Sequence, residues 1–110
     1  MQPSVIFMGS ASFAVPSLSW LIREGFRIPL VVTRPDKPKG RGLELARTPV
    51  KEVAIAAGIP CFEPRTLRDP SVHARLADVR PDLVVVAAYG RILPPEVLAI
   101  PRLGCINVHG

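Results

Sequence analysis

An amide and an imidazole stand two residues apart at the close of an apolar run, Leu103-Gly104-Cys105-Ile106-Asn107-Val108-His109-Gly110. Side chains along a strand alternate faces, so a strand here points Asn107 and His109 one way and Ile106 and Val108 toward the core. The pair joins a hydrogen-bond donor to a titratable ring, the equipment of proton-transfer chemistry. In an open α/β sheet, ligands bind beyond the carboxyl ends of parallel strands, and a strand finishing in a polar pair fits that rule. Asn and His are equally at home at the start of a surface turn, so residue type alone leaves both readings open.

Two further stretches carry chemistry. Between Arg34 and Lys51 stand Arg34, Lys37, Lys39, Arg41, Arg47 and Lys51 against Asp36 and Glu44, which places four of the five net positive charges there. Residues 34–48 also carry Pro35, Pro38, Gly40 and Gly42 and show neither helical nor strand periodicity. A structureless loop of that length inside a compact domain is uncommon and usually functional. Its lysines and arginines could follow a phosphate backbone and displace counterions, or form an ordinary solvated loop. The other stretch, Tyr89-Gly90-Arg91-Ile92-Leu93, follows the apolar run 83–88. Ile92 and Leu93 could pack against a planar ligand or belong to the core.

The elements that must hold these residues alternate in type. Residues 4–8 read as a buried first strand closed by Gly9, and Ala14, Val15, Leu18, Leu21 and Ile22 recur at helical spacing behind Pro16, with Gly25 as the stop. The loop between them offers backbone N–H groups at a helix N-terminus, where an anion or polar group is favoured. It reads Gly9-Ser10-Ala11-Ser12-Phe13-Ala14 and lacks the G-x-G-x-x-G dinucleotide fingerprint. Residues 28–33 form a second strand. Thr48-Pro49 opens a helix with Val50, Val53, Ala54 and Ala57 on one stripe, and residues 59–62 make a third strand. Asp69-Pro70 opens the next helix, with Val72, Leu76 and Val79 inward and His73 expected to be exposed. Residues 83–88 suit a central parallel strand, residues 94–98 one short helical turn, and the final run a fifth strand.

This order predicts a doubly wound, mostly parallel α/β sheet of Rossmann-like form with right-handed crossovers. The loops at Gly9, Tyr89 and Asn107 then converge at its carboxyl edge. The 110 residues and 48% apolar content suit one domain. Cys61 and Cys105 stand far apart without metal-ligand spacing, so no metal and a reduced setting are expected. No apolar run approaches the roughly 20 residues that span a bilayer, and no signal sequence opens the chain, so a cytoplasmic protein free of membranes is expected.

The residues together resemble the methionyl-tRNA formyltransferase family, within the wider folate-dependent formyltransferases. The matching stretches are Ile6-Phe7-Met8-Gly9, Phe13-Ala14, Arg34-Pro35-Asp36-Lys37-Pro38 running into Gly40-Arg41-Gly42, Pro49-Val50-Lys51, Ala88-Tyr89-Gly90 with Ile92-Leu93-Pro94, and Pro101 through Gly110. The Asn-x-His ending is shared across the wider group, whereas the Pro-Asp-x-Pro-x-Gly-Arg-Gly stretch is more specific to the tRNA enzyme. The resemblance implies 10-formyltetrahydrofolate as formyl donor and methionyl initiator tRNA as acceptor, in a protein that is monomeric when complete. It implies Asn107 and His109 as catalytic residues, and Tyr89, Gly90, Arg91, Ile92, Leu93 and Gly110 against the folate. Arg34, Lys37, Lys39, Arg41 and Lys51 would meet the tRNA. It further implies that residues 1–110 are the N-terminal portion of a catalytic domain, cut after the fifth strand, with a C-terminal barrel domain beyond and little activity alone. Gly9-Ser10-Ala11-Ser12 departs from the family's Gly-Thr-Pro-Asp, and Leu43 and Glu44 stand where basic residues are often found. Two other functions fit parts of the pattern: a formyltransferase acting on an amino-sugar nucleotide, and a nucleic-acid-binding module without chemistry.

Overall fold

A computed structural model describes residues 2–39 and 44–109. Strand β1 (Ser4–Gly9) is buried along its whole length, as a strand covered on both faces must be. A single 3-10 turn (Ser12–Ala14) leads into α1 (Val15–Arg23), which buries Leu18 and Leu21. There follow β2 (Arg27–Val32), β3 (Lys37–Lys39), β4 (Glu44–Ala46), α2 (Pro49–Ala56), β5 (Cys61–Phe62), α3 (Pro70–Asp78), β6 (Leu83–Ala87), α4 (Pro95–Leu98) and β7 (Cys105–Val108). Local chemistry sets the helix starts. Thr48 Oγ1 accepts from the Lys51 amide at 3.1 Å and Asp69 Oδ1 from the Ser71 amide at 2.9 Å, each just ahead of a proline at the first helical position.

The main sheet runs in the order β5-β2-β1-β6-β7, every pair parallel. The chain steps outward from β1 to β2 to β5, then crosses to the far side of β1 for β6 and β7. The crevice where the direction reverses lies between the carboxyl ends of β1 and β6, the place where such sheets bind ligands. Phe62, Val32, Met8, Val86 and Asn107 form one register row across all five strands. On one face Val5, Phe7, Val31, Val85 and Ala87 pack with residues of α1 and α2; on the other Ile6, Met8, Leu30, Val32 and Val84 pack with residues of α3 and α4. The doubly wound parallel architecture read from the sequence is what the chain adopts.

Three details differ from the sequence reading. The stretch after β2 is not structureless: β3 and β4 pair antiparallel, with Lys37 opposite Ala46 and Lys39 opposite Glu44. Strands of three residues are too short to show a period, and Pro38 argues against a strand. Ile106, which alternation turns toward the core, is 51% exposed within these 110 residues. It shares a row with Val85, on the α1 side, yet β7 is the last strand in the order. His73 is half-buried, its Nε2 lying 2.6 Å from the Leu67 carbonyl oxygen, so it braces the segment entering α3.

Gly9 is demanded by packing. A Cβ there would lie 2.6 Å from the Ala87 carbonyl oxygen, 2.8 Å from Phe7 Cε2 and 2.9 Å from Ala14 Cβ. One of these neighbours is backbone and cannot swing aside. Gly9→Ala is therefore expected to lower stability by about 3 kcal/mol in urea unfolding. A loss below about 0.5 kcal/mol, the size of a neutral surface change, would mean that β1 and β6 can part at this row.

Candidate active site

The loops at the carboxyl edge are tied together by buried hydroxyls. Ser10 Oγ donates to the Tyr89 carbonyl at 3.3 Å, and Thr33 Oγ1 donates to Ser10 Oγ at 3.3 Å. Thr33 and Thr48 hydroxyl oxygens stand 2.7 Å apart. A hydroxyl has one proton, and that of Thr33 is committed to Ser10, so Thr48 is the donor in this last contact. The result is a one-way relay from Thr48 through Thr33 and Ser10 to Tyr89. Ser10 Oγ also accepts from the Arg34 amide at 3.1 Å, fixing the chain as it leaves β2.

The backbone N–H groups of Ser10 and Ala11 both donate to the Ala88 carbonyl, at 3.1 and 3.3 Å. These two donors of the loop are thus already used within the protein. Ala88 adopts a left-handed backbone with φ 47°. That conformation costs a non-glycine residue roughly 1–2 kcal/mol, and it sits where the chain turns out of β6 into residues 89–93.

Beside the relay lies a charged cluster. Lys51, in the first turn of α2, places its Nζ 3.0 Å from Asp36 Oδ2 and 3.1 Å from the Glu63 carboxylate. The hydrogen bond that Lys51 donates to Asp36, reinforced by Glu63 against the cost of burial, pushes the ammonium above its ordinary pKa. Burial, helped by the Glu63 charge, pushes the neighbouring Cys61 thiol up, and burial does the same to the Cys105 thiol.

Two cavities flank the segment that follows β6. A smaller one of about 420 Å³ is walled by Ser10 and Ala11, by residues 34–37 and by residues 88–91, at the crevice between β1 and β6. A larger one of about 810 Å³ is walled by residues 65–68 and 90–96. Gly90 and Arg91 belong to both walls. Arg91 is braced: its Nη1 donates to the Pro64 carbonyl at 2.7 Å and its guanidinium lies 6.0 Å from the Tyr89 ring centre. Burial raises the Tyr89 phenol pKa, and the Arg91 charge pulls it back. Three buried polar atoms beside the smaller cavity, Arg34 Nη1, Asp36 Oδ1 and the Tyr89 hydroxyl, have no hydrogen-bond partner among the described residues.

The residues singled out from sequence fall as follows. Asn107 is exposed at the sheet edge, and His109 is exposed just beyond β7. By strand alternation Asn107 shares its face with Val86, the side of Tyr89 and Leu93. Ile92 is 94% exposed and so is not core, whereas Leu93 packs against the second core cluster and Tyr89 is within it. Arg34 and Lys37 line the smaller cavity. Lys51 is held by two carboxylates. Arg41 and Gly110 lie outside the described residues, as does the side chain of Lys39. Sequence reading missed Asp36 and Glu63 as partners of Lys51, and Arg65 and Arg68 as cavity wall. The available signal was position: Glu63 directly follows a strand end, which puts its carboxylate at the edge where ligands bind.

Among the described residues no group of three or more His, Cys, Asp or Glu gathers to hold a metal ion, and no helix is long and apolar enough to cross a membrane. Residues 2–110 match the family described as formyl transferase. The methionyl-tRNA formyltransferase of Alkaliphilus oremlandii is 54% identical over 105 residues, covering 96% of this chain and 34% of that protein. That of Acetivibrio thermocellus is 52% identical over 106 residues, with the same coverage of 96% and 34%. The chain therefore spans about a third of the length of the curated relatives it matches. Among solved structures, glycinamide ribonucleotide transformylase 1 of Geobacillus kaustophilus superposes with a TM-score of 0.68 over 99% of this chain and 58% of that one. At 19% identity this likeness is one of fold.

The raised Lys51 pKa makes a prediction with a definite sign. A lysine whose folded pKa lies above its unfolded value stabilises fully below the unfolded value and loses that contribution as pH rises through the folded one. The stability difference between wild type and Lys51→Met should therefore be flat from about pH 7 to 9, below the lysine reference range, and narrow above the ordinary value of 10.5. Thermal unfolding across this range reads it directly, and a difference that grows with alkaline pH would contradict the assignment.

Proposed function

Because this chain belongs to the formyl transferase family, we propose that the full protein transfers a formyl group from 10-formyltetrahydrofolate to the amino group of methionyl initiator tRNA. The observation that carries this reading is the pair of cavities meeting at Gly90 and Arg91, one bordered by the exposed Ile92 and the other by the root of the basic hairpin. Two substrates of different chemistry need two such approaches to one edge.

The larger cavity suits the folate. Ile92 and Leu93 offer apolar surface to a planar pterin, and Arg65 and Arg68 line the same cavity and suit an anionic tail. The smaller cavity suits the aminoacyl end of the acceptor, with Arg34 and Lys37 in its wall and the rest of the basic segment, including Lys39 and Arg41, following the phosphates of the acceptor arm. We place the protein in the cytoplasm, where its acceptor is made and used.

In the reaction, the lone pair of the methionyl amine attacks the formyl carbon, forming a C–N bond and a tetrahedral carbon that bears an oxyanion. Asn107 donates a side-chain N–H to that oxyanion, a contribution on the order of 3 kcal/mol. His109 takes the proton released by the attacking amine and returns it to the folate nitrogen as the carbon–nitrogen bond of the donor breaks. Both residues lie at the carboxyl end of β7, the edge of a parallel sheet at which ligands bind.

The test is formyl transfer by the full-length protein, with 10-formyltetrahydrofolate as donor and methionyl-tRNA, glycinamide ribonucleotide or an amino-sugar nucleotide offered separately. Transfer to the tRNA alone is expected; transfer only to another acceptor would overturn the acceptor assignment. His109→Ala should lower turnover about 100-fold or more, the scale of general acid–base loss. Turnover near wild type in that variant would remove His109 from the mechanism.

A further inference from the structure

We propose that Asp36, Lys51 and Glu63 form an ionic clamp that fixes the root of the basic hairpin, so that Lys51 is a positioning residue and not itself a ligand of the acceptor's phosphates. This rests on the reading above that the acceptor is a tRNA. The three residues come from three separate parts of the chain. Asp36 immediately precedes β3, Lys51 lies in the first turn of α2, and Glu63 immediately follows β5. Their meeting joins the hairpin, the helix and the sheet edge at one point.

The charge count argues against a phosphate at Lys51. Its ammonium already sits between two carboxylates at 3.0 and 3.1 Å, and its side chain is only 16% exposed. A third anion would enter a group whose local charge is already negative, and it would have to displace a carboxylate to reach an N–H. Lys37, by contrast, is exposed and makes no ion pair with any described residue.

The clamp also has a rigid anchor. The Lys51 amide is bonded to Thr48 Oγ1, and Thr48 heads the buried hydroxyl relay that reaches Tyr89. The hairpin is therefore held at both ends. Asp36 is gripped through the Lys51 side chain just before β3, and the chain after β4 runs within two residues into the buried Thr48. Lys37, paired with Ala46 in the first rung of the hairpin, is presented from that root.

A clamp and a purely electrostatic surface predict opposite signs for one substitution. Asp36→Ala removes a negative charge next to the basic hairpin, and if only attraction mattered the tRNA would bind better. The clamp predicts worse use of tRNA. In the full-length protein, Glu63→Ala, at a residue that lines neither cavity, should raise the KM for methionyl-tRNA about tenfold, the factor of a 1.4 kcal/mol loss, while the KM for folate and kcat stay within about twofold; Asp36→Ala, at a residue that also lines the smaller cavity, should raise the same KM at least as much. Asp36→Glu and Lys51→Arg, which keep the charges, should restore most of the loss. Lys51→Met should weaken tRNA use without reducing the slope of its salt dependence, because no phosphate contact is lost. A lower tRNA KM in Asp36→Ala, or a salt slope reduced by about one phosphate in Lys51→Met, would overturn the proposal.

Amide hydrogen exchange separates this outcome from failure of the functional reading. In the free full-length protein, Asp36→Ala should speed exchange in β3 and β4 about tenfold by lowering the cost of local opening. Faster exchange in a protein that does not use tRNA would leave the clamp standing and discard the acceptor assignment. Unchanged exchange would discard the clamp whatever the acceptor.

Discussion

Three buried hydroxyls, those of Thr48, Thr33 and Ser10, pass a hydrogen bond from one to the next and end on the Tyr89 carbonyl. The arrangement of the candidate site depends on this relay. It ties the N-terminus of α2, the end of β2, the loop after β1 and the loop after β6, segments as far apart in sequence as residues 10 and 89. Thr33 and Thr48 are fully buried and Ser10 is 2% exposed, so each group must be satisfied from within the protein. A buried donor or acceptor left without its partner costs about 1–3 kcal/mol, so the loops are held by an interior network rather than by their own residues. The smaller cavity, and the 90–96 wall of the larger one, are formed by segments that leave from this network.

The charges are divided by the same geometry. One lysine of the basic segment, Lys51, turns inward to two carboxylates, while Lys37 and Arg47 remain exposed. Net charge read along the chain merges these two kinds of residue. Only the fold separates a lysine that holds the hairpin from those that could meet a polyanion. Arg91 has a similar dual character: its guanidinium is anchored on the Pro64 carbonyl, which holds the backbone that carries the exposed Ile92.

Much of the architecture was legible because its signals are local. The apolar runs of β1 and β6, and the Thr48-Pro49 and Asp69-Pro70 helix starts, are set by residues within a turn of one another. The alternation that turns Asn107 away from Ile106 and Val108 follows directly from strand geometry. What escaped the sequence depends on long-range pairing. The β3–β4 hairpin has three-residue strands and a proline, too little for a period to show. The inward turn of His73 follows from a carbonyl six residues away. The partners of Lys51 stand 15 and 12 residues distant, at separations no helical or strand period connects.

The proposed function requires that residues 90–93 and the Asn107–His109 end of β7 form one folate-facing surface, with the basic hairpin serving the other substrate. Hydrogen-exchange mass spectrometry on the full-length protein, with a stable formyl-folate analogue added alone and then together with methionyl-tRNA, tests it most directly. The folate alone should protect residues 90–93 and 105–109, and residues 34–39 and 44–47 should gain protection only when the tRNA is present. Folate-dependent protection confined to the hairpin, or absent from both folate-facing segments, would contradict it.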